Sequence, residues 1–451
     1  MTSAIPVSFD FAQSGEKIKP MNAVNNGPAG SAVRKNAGNF ATYAEAAFPF
    51  ARTHDSAFYS GYGGEFTVDV HRIFRNFEAD ENAPASYSFR STDTYLRNIH
   101  DAGTKTFYRL GAGIEHGEKY GTYPPKDYEK WARICEHIIR HYTEGWADGF
   151  HYDITYWEIW NEPDCHNGDG SNPCWQGDEM EFPNFFEVVL RHLKEKFPHL
   201  KIGGPAMASM WAEHSRKIYA DILRRNLPAD FYSYHWYGKT MQDFEATIYE
   251  AKRFFTEHGA ADKETVLNEW NYIRGWAGED WKYSLASEKG LKGSSFAASA
   301  MCVGQASPLD MLMYYDARPS GMNGLFDSTT LEPLKTYYTY LMFKDIAALG
   351  THVPSKQDHE NGLYSCAATN GEESAVFLSY YKDDDEAPVQ NVKIECNNIP
   401  HSGKIKVERY LLDGDHSKTL VAEEIFTAKD FALYLSLPIY STVLIKISPI
   451  A

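Results

Sequence analysis

From about residue 100 onward, short apolar and aromatic runs alternate with stretches whose apolar positions recur every three to four residues. The runs are 105–111 (KTFYRLG), 154–160 (ITYWEIW), 200–204 (LKIGG), 230–237 (DFYSYHWY), 265–270 (TVLNEW) and 310–316 (DMLMYYD). Each is too short for a helix and too apolar for a loop, which predicts buried strands. Between them, Tyr128, Trp131, Ile134, Cys135, Ile138 and Tyr142 keep one helical face, as do Phe182, Phe185, Phe186, Val189, Leu190, Leu193 and Phe197. A third face comprises Phe244, Ile248, Ala251 and Phe255, with Gly259 placed to end that helix. Upstream, 18–24 (IKPMNAV) and 48–54 (FPFARTH) supply two more strands. Eight strands alternating with helices predict an α/β fold, the (β/α)8 TIM barrel. A doubly wound open sheet is the rival, but it would carry a Gly-rich phosphate turn after its first strand, and this chain has none there.

Past Leu349-Gly350 the period shortens to two. Runs such as ESAVFLSYY, VKIEC, GKIKVERYLL and TVLIKI are separated by Gly, Asp and Asn clusters with no helix-length segment between them, which predicts an all-β sandwich. The run IPVSFDF (5–11) precedes the first barrel strand and is expected to join that sandwich. The expected organisation is therefore an N-terminal strand in 1–15, a catalytic barrel in 16–350 and an accessory sandwich in 351–451.

The net charge of −17 argues against nucleic acid or an anionic membrane as a partner, since both demand a basic surface. No stretch approaches the 18 or more apolar residues of a membrane span. The first residues (MTSAIPVSFDFAQSG) lack a basic start followed by an apolar run, so a cytoplasmic location is expected unless a leader was removed. The six cysteines show no CxxC spacing, and only Cys165 and Cys174, which share one loop, suggest a pair. A zinc site at Cys165, His166 and Cys174 would lack a fourth ligand, so no metal is expected.

Candidate chemistry gathers where the strands end. The run TYWEIW stops abruptly at Asn161-Glu162-Pro163, and VLNEW places Glu269 at the end of the seventh strand. In such barrels the reacting side chains stand at the C-terminal ends of the strands. Two carboxyl groups facing each other across that mouth are what glycoside hydrolysis needs, one to protonate the leaving oxygen and one to attack or to activate water. A neighbouring carboxylate is expected to raise the pKa of the acid. Glu158, four residues before Glu162 and on the same strand face if the strand is regular, is read as a partner for Arg52. Tyr314, Tyr315 and Asp316 end the eighth strand, where pocket-lining roles are expected for Tyr314 and Asp316. Glu115 and His116 follow the third strand in a long loop.

With WEIWNEPD on the fourth strand, LNEW on the seventh, SYHWY on the sixth and ARTHD on the second, the chain resembles glycoside hydrolase family 39 over most of residues 18–350. The resemblance implies that Glu162 is the acid/base, Glu269 the nucleophile, and Asn161 a ligand of the sugar 2-hydroxyl. It also implies that His235 and Tyr237 flank the cleft, Tyr237 within reach of the nucleophile, and that Arg52 and His54 support the nucleophile and contact the sugar. The stretch after His54 (DSAFYSGYGGEF) departs from the family xylosidases, which puts the sugar in question but not the reaction.

The expected activity is thus a retaining, exo-acting glycoside hydrolase without a cofactor, acting on an oligosaccharide or glycoside. Exo action is inferred from long loops after the second, third and fourth strands. A β-D-xylosidase is the leading expectation, an α-L-arabinofuranosidase or β-galactosidase the close rival, and oligomerisation is left open. Outside this class stand a non-catalytic carbohydrate-binding barrel and a metal-dependent barrel hydrolase. The latter usually wants a His-x-His pair on an early strand, which the chain lacks.

Overall fold

Eight parallel strands close into a barrel in chain order in the computed structural model, which describes residues 4–13, 15–30, 38–55, 67–113, 121–322, 324–401 and 403–450. In order, the barrel strands are Ala23–Asn25, Phe50–Thr53, Lys105–Leu110, Tyr156–Ile159, Lys201–Met207, Phe231–Gly238, Glu264–Tyr272 and Met311–Tyr314. Val24 of the first lies beside Tyr314 of the eighth, which shuts the ring. The first strand starts later than the apolar run at 18–24. Pro20 has no N–H for a ladder, and the Lys19 ammonium is taken up by the carbonyls of Gly304, Ser307 and Leu309.

Helices Tyr128–Thr143, Phe182–Lys196 and Met241–Glu257 carry the three apolar faces read from sequence and bury them against the barrel. The first is capped by Asp127, whose carboxylate accepts the Lys130 N–H, and the third by Thr240, which accepts from Asp243 N–H. Inside the barrel, Phe107, Tyr156, Phe231, Val266, Met311 and Met313 form an apolar floor. Side chains alternate in and out along each strand, so the next inward position stands above that floor and nearer the mouth. There the residues are polar or charged, and the site begins.

The C-terminal region is all β. A six-stranded sheet runs in the order Thr351–Val353, Leu363–Thr369, Ser374–Tyr380, Thr442–Pro449, Ile405–Leu412 and Ser417–Phe426. A three-stranded sheet faces it, with Ile5–Asp10 parallel to Gln390–Asn397, and Phe431–Leu437 on the far side. Phe9, Val376, Leu378, Val392, Ile394, Val407 and Ile445 fill the space between the two sheets. The larger sheet also packs on the barrel's outer helices, with Phe377 against Phe343 and Tyr381 against Phe296. Among the described residues no helix is long and apolar enough to cross a membrane.

Candidate active site

At the end of the fourth barrel strand the backbone leaves the extended region. Trp160 has φ 75° and Glu162 has φ 48°, both left-handed and both unusual for residues with a side chain. The turn is pinned on each side, by Trp160 N–H to Leu110 O (2.7 Å) and by Glu162 N–H to Ala206 O (2.9 Å). Gly111 makes room for it. A Cβ there would lie 3.0 Å from the Trp160 Cα, and its φ of 130° suits only glycine. The left-handed turn sends the Trp160 ring outward against Trp131 and Phe185 while Asn161 and Glu162 both face the mouth.

A different device acts on the seventh strand. Tyr234 lies opposite Leu267 and His235 opposite Glu269, so Asn268 is the extra residue of a register shift. Regular alternation would send Asn268 and Glu269 to opposite faces; the shift lets both point inward. Asn268 donates to Glu158 and its carbonyl accepts from Asn25, while Glu269 reaches the sixth strand's His235 and Tyr237.

Arg52, fully buried on the second strand, joins these pieces. Its Nε donates to Glu158 Oε2 (2.6 Å), its Nη1 to Asn25 Oδ1 (3.0 Å) and Glu269 Oε1 (2.8 Å), and its Nη2 to Asn161 Oδ1 (2.6 Å). Glu158 also accepts from Ser233 Oγ at 2.5 Å. Glu158 is therefore the partner of Arg52 and lies below the mouth rather than in it. Burial opposes the guanidinium charge, but Glu158 and Glu269 outweigh that, and its pKa rises.

The upper carboxyls meet at one imidazole. His235 Nδ1 lies 2.7 Å from Glu162 Oε1 and 3.4 Å from Glu269 Oε2. One carboxyl oxygen each of Glu162 and Glu269 and one ring nitrogen of His235 all fall within 4.8 Å of one another. Tyr237 donates its hydroxyl to Glu269 Oε2 at 3.0 Å. His54 Nδ1 stands 3.9 Å from Glu269 Oε1. Three buried polar atoms at this mouth, His54 Nδ1, Asn161 Nδ2 and His235 Nε2, have no hydrogen-bond partner among the described residues. Such a group is worth more once a ligand oxygen meets it.

Electrostatically the two glutamates differ. Burial pushes Glu162 up to about 7, with Arg52 opposing. Burial and Glu162 also raise Glu269, while His235 and Arg52 pull it down. The cause of the Glu162 elevation is thus burial first, rather than the neighbouring carboxylate expected from sequence. Burial holds His235 down to about 4 and His54 well below its ordinary value, so both imidazoles are neutral at pH 7.

Two strand-eight residues are placed otherwise than expected. Tyr314 turns out of the barrel, its ring against Trp270 and Tyr340 and its hydroxyl accepting from Gly324 N–H. Asp316 is fully buried, with Oδ2 bound to Asn26 (2.8 Å) and Arg318 (3.1 Å), and burial pushes it up to about 7. Tyr315 is the one that reaches the mouth, its ring edge-on to His54 at 5.8 Å and its hydroxyl donating to Asp55. Strand alternation separates Tyr314 from Tyr315, but the run DMLMYYD gave no local sign of which one faced in. Asn25, Ser233 and Asn268 were not anticipated either; polar residues inside otherwise apolar strands were the available signal.

Glu115, His116 and much of the long second and third loops fall on 114–120 and 56–66, outside the described residues. Cys165 and Cys174 are not in a disulfide, and their sulfurs share a 4.8 Å neighbourhood with the Glu162 carboxyl. His166 is turned away to Glu179 and stacked on His214, so the Cys165–His166–Cys174 donor set is not assembled.

The barrel and its mouth define a class, that of (β/α)8 proteins with paired carboxyl groups at the mouth, one just past the fourth strand and one on the seventh. Within it, the chain belongs to glycosyl hydrolases family 39, whose model matches residues 8–268. It is 28% identical over 177 residues to a beta-xylosidase of Geobacillus stearothermophilus, a match covering 37% of this chain and 33% of that protein. A beta-xylosidase of Caldicellulosiruptor saccharolyticus is 26% identical over 212 residues, 43% of this chain and 40% of the relative. The match thus spans well under half the length of either. The crystal structure of a glucosidase from Croceicoccus marinus superposes with a TM-score of 0.81 at 19% identity, covering 100% of both chains.

Proposed function

We propose that the protein is a retaining glycoside hydrolase in which Glu269 is the nucleophile and Glu162 the acid/base. The observation that carries this reading is the spacing of the pair: carboxyl oxygens of Glu162 and Glu269 lie within 4.8 Å of one another. Retaining enzymes hold the two carboxyls roughly 5 to 5.5 Å apart, whereas inverting ones need about 6.5 to 9.5 Å to admit a water. The division of labour follows from the neighbours. Glu269 accepts from Arg52 and Tyr237, which favours its ionised form and aims it. Glu162, raised to about 7 by burial, keeps its proton on about half the molecules at neutral pH and on most of them below it.

In the first step a Glu269 oxygen attacks the anomeric carbon as Glu162 gives its proton to the departing glycosidic oxygen. The result is a glycosyl ester on Glu269 and a free alcohol. Glu162, now a carboxylate, takes a proton from water as that water attacks the same carbon, and Glu269 leaves with its electron pair. Two inversions give net retention. The unpartnered Asn161 amide is placed to donate to the 2-hydroxyl, where such bonds strengthen as charge develops at the ring.

The substrate proposed is a β-D-xyloside cleaved from a chain end, on the strength of the beta-xylosidase relatives. A panel of nitrophenyl glycosides tests the sugar, with the xyloside expected to turn over fastest. Proton NMR of the first-formed product tests the stereochemistry. Retained configuration is expected; an inverted anomer overturns the assignment of Glu269.

A further inference from the structure

We propose that Trp276 is the platform of a leaving-group subsite that takes the apolar face of a sugar ring. This rests on the reading of Glu162 as the acid. Trp276 lies between the seventh barrel strand and helix Gly278–Glu288, and 59% of it is exposed, which is unusual for the largest apolar side chain. It is nonetheless held in place. Trp281 stacks on it at 5.6 Å with the planes 24° apart, and Tyr237 meets it edge-on at 5.2 Å. The loop is pinned by Arg274 N–H to Ser284 Oγ (2.8 Å), by an Arg274–Asp280 ion pair (3.0 Å), and by the Arg274 guanidinium over the Tyr283 ring. An indole held by contacts with two rings and still largely exposed offers a ligand apolar aromatic surface without first having to be ordered.

The two oxygens of Glu269 say which part of the substrate it would meet. Oε1 faces Arg52 and His54. Oε2 faces Tyr237 and His235, and His235 is the group shared with Glu162. Tyr237, whose ring Trp276 touches, therefore stands on the Glu162 side of the nucleophile. The acid must touch the glycosidic oxygen, so the leaving group lies on that side too. A pyranose leaving group presents axial C–H bonds that pack on an aromatic face, which matches what Trp276 offers.

The test compares kcat/KM of the wild type, Trp276→Ala, Trp276→Leu and Trp276→Phe on three substrates sharing one glycone: a disaccharide, a nitrophenyl glycoside and a glycosyl fluoride. The fluoride carries no ring to stack. The disaccharide-to-fluoride ratio should fall about tenfold in the Ala and Leu variants and recover most of that loss in the Phe variant. Taking a ratio cancels any loss of folded enzyme. A ratio within twofold of wild type in the Ala variant, or a Leu variant that keeps it, overturns the platform alone. With the glycone that the nitrophenyl panel selects, an alkaline limb of kcat/KM that persists in Glu162→Gln removes the reading of Glu162 and the platform with it.

Discussion

Replacing Tyr237 by Phe removes one oxygen and keeps the ring that touches Trp276. The deleted group donates to Glu269 Oε2 at 3.0 Å inside a buried site. A hydrogen bond to a charged group contributes about 1.5–3 kcal/mol. How that loss divides between the two chemical steps follows from the charge on Glu269. During attack the carboxylate loses charge, so the bond weakens and its absence hinders the first step little. During hydrolysis of the ester the carboxylate regains charge as it leaves, and the phenol assists that departure. If about half the bond is recovered in the second transition state, roughly 1 kcal/mol is lost there, about fivefold in rate. With a nitrophenyl glycoside, kcat should fall about fivefold while KM falls with it, and a burst of nitrophenol should appear as the glycosyl-enzyme accumulates. The acidic limb of kcat/KM should also move to higher pH, because Glu269 loses a bond that favours its ionised form. Stopped-flow release of nitrophenol and a pH series measure all three. A variant with unchanged kcat, no burst and an unmoved acidic limb would refute the claim that this phenol acts on the nucleophile.

The remaining expectations concern the carboxyl groups. With Glu162 near 7, kcat/KM should decline above about pH 7 as the acid ionises; Glu162→Gln, titrated on an activated aryl glycoside, should lose that alkaline limb, and its persistence counts against the role. Azide should rescue Glu162→Ala and give a glycosyl azide of retained configuration, whereas any product rescued from Glu269→Ala should be inverted; the reverse pattern, read by NMR, exchanges the two roles. Glu158→Gln leaves the buried Arg52 short of a counter-charge and should destabilise the fold by about 3 kcal/mol in urea unfolding, with a change below about 1 kcal/mol arguing against a true buried ion pair.

The barrel was legible because its signal is local. Buried parallel strands write themselves as continuous apolar runs, helices as a repeating face, and the sandwich as alternation, so each could be read within ten or twenty residues. The same locality singled out Glu162, where TYWEIW gives way to Asn-Glu-Pro, and the Glu269 of VLNEW, although that strand does not end there as the sequence led one to expect but runs on, paired to the sixth strand, to Tyr272. It also made Glu158 recognisable as a carboxyl too deep in the wall to meet substrate, with the arginine of the second strand, two strands away across the barrel wall, to receive it.

What the tertiary structure decided depends on register, which no local pattern encodes. The shift at Asn268 turns two successive side chains inward, and only the pairing of the sixth and seventh strands reveals it. Left-handed turns at Trp160 and Glu162 are imposed by the third and fifth strands, through Leu110 and Ala206. Tyr314 and Tyr315 are equivalent in sequence, yet one packs under a helix and the other meets His54. The proton on Glu162 is likewise a property of the assembled mouth. A carboxyl's pKa follows its distance from water and from charges on other strands, so burial, not the residue or its neighbours in the chain, sets it near 7.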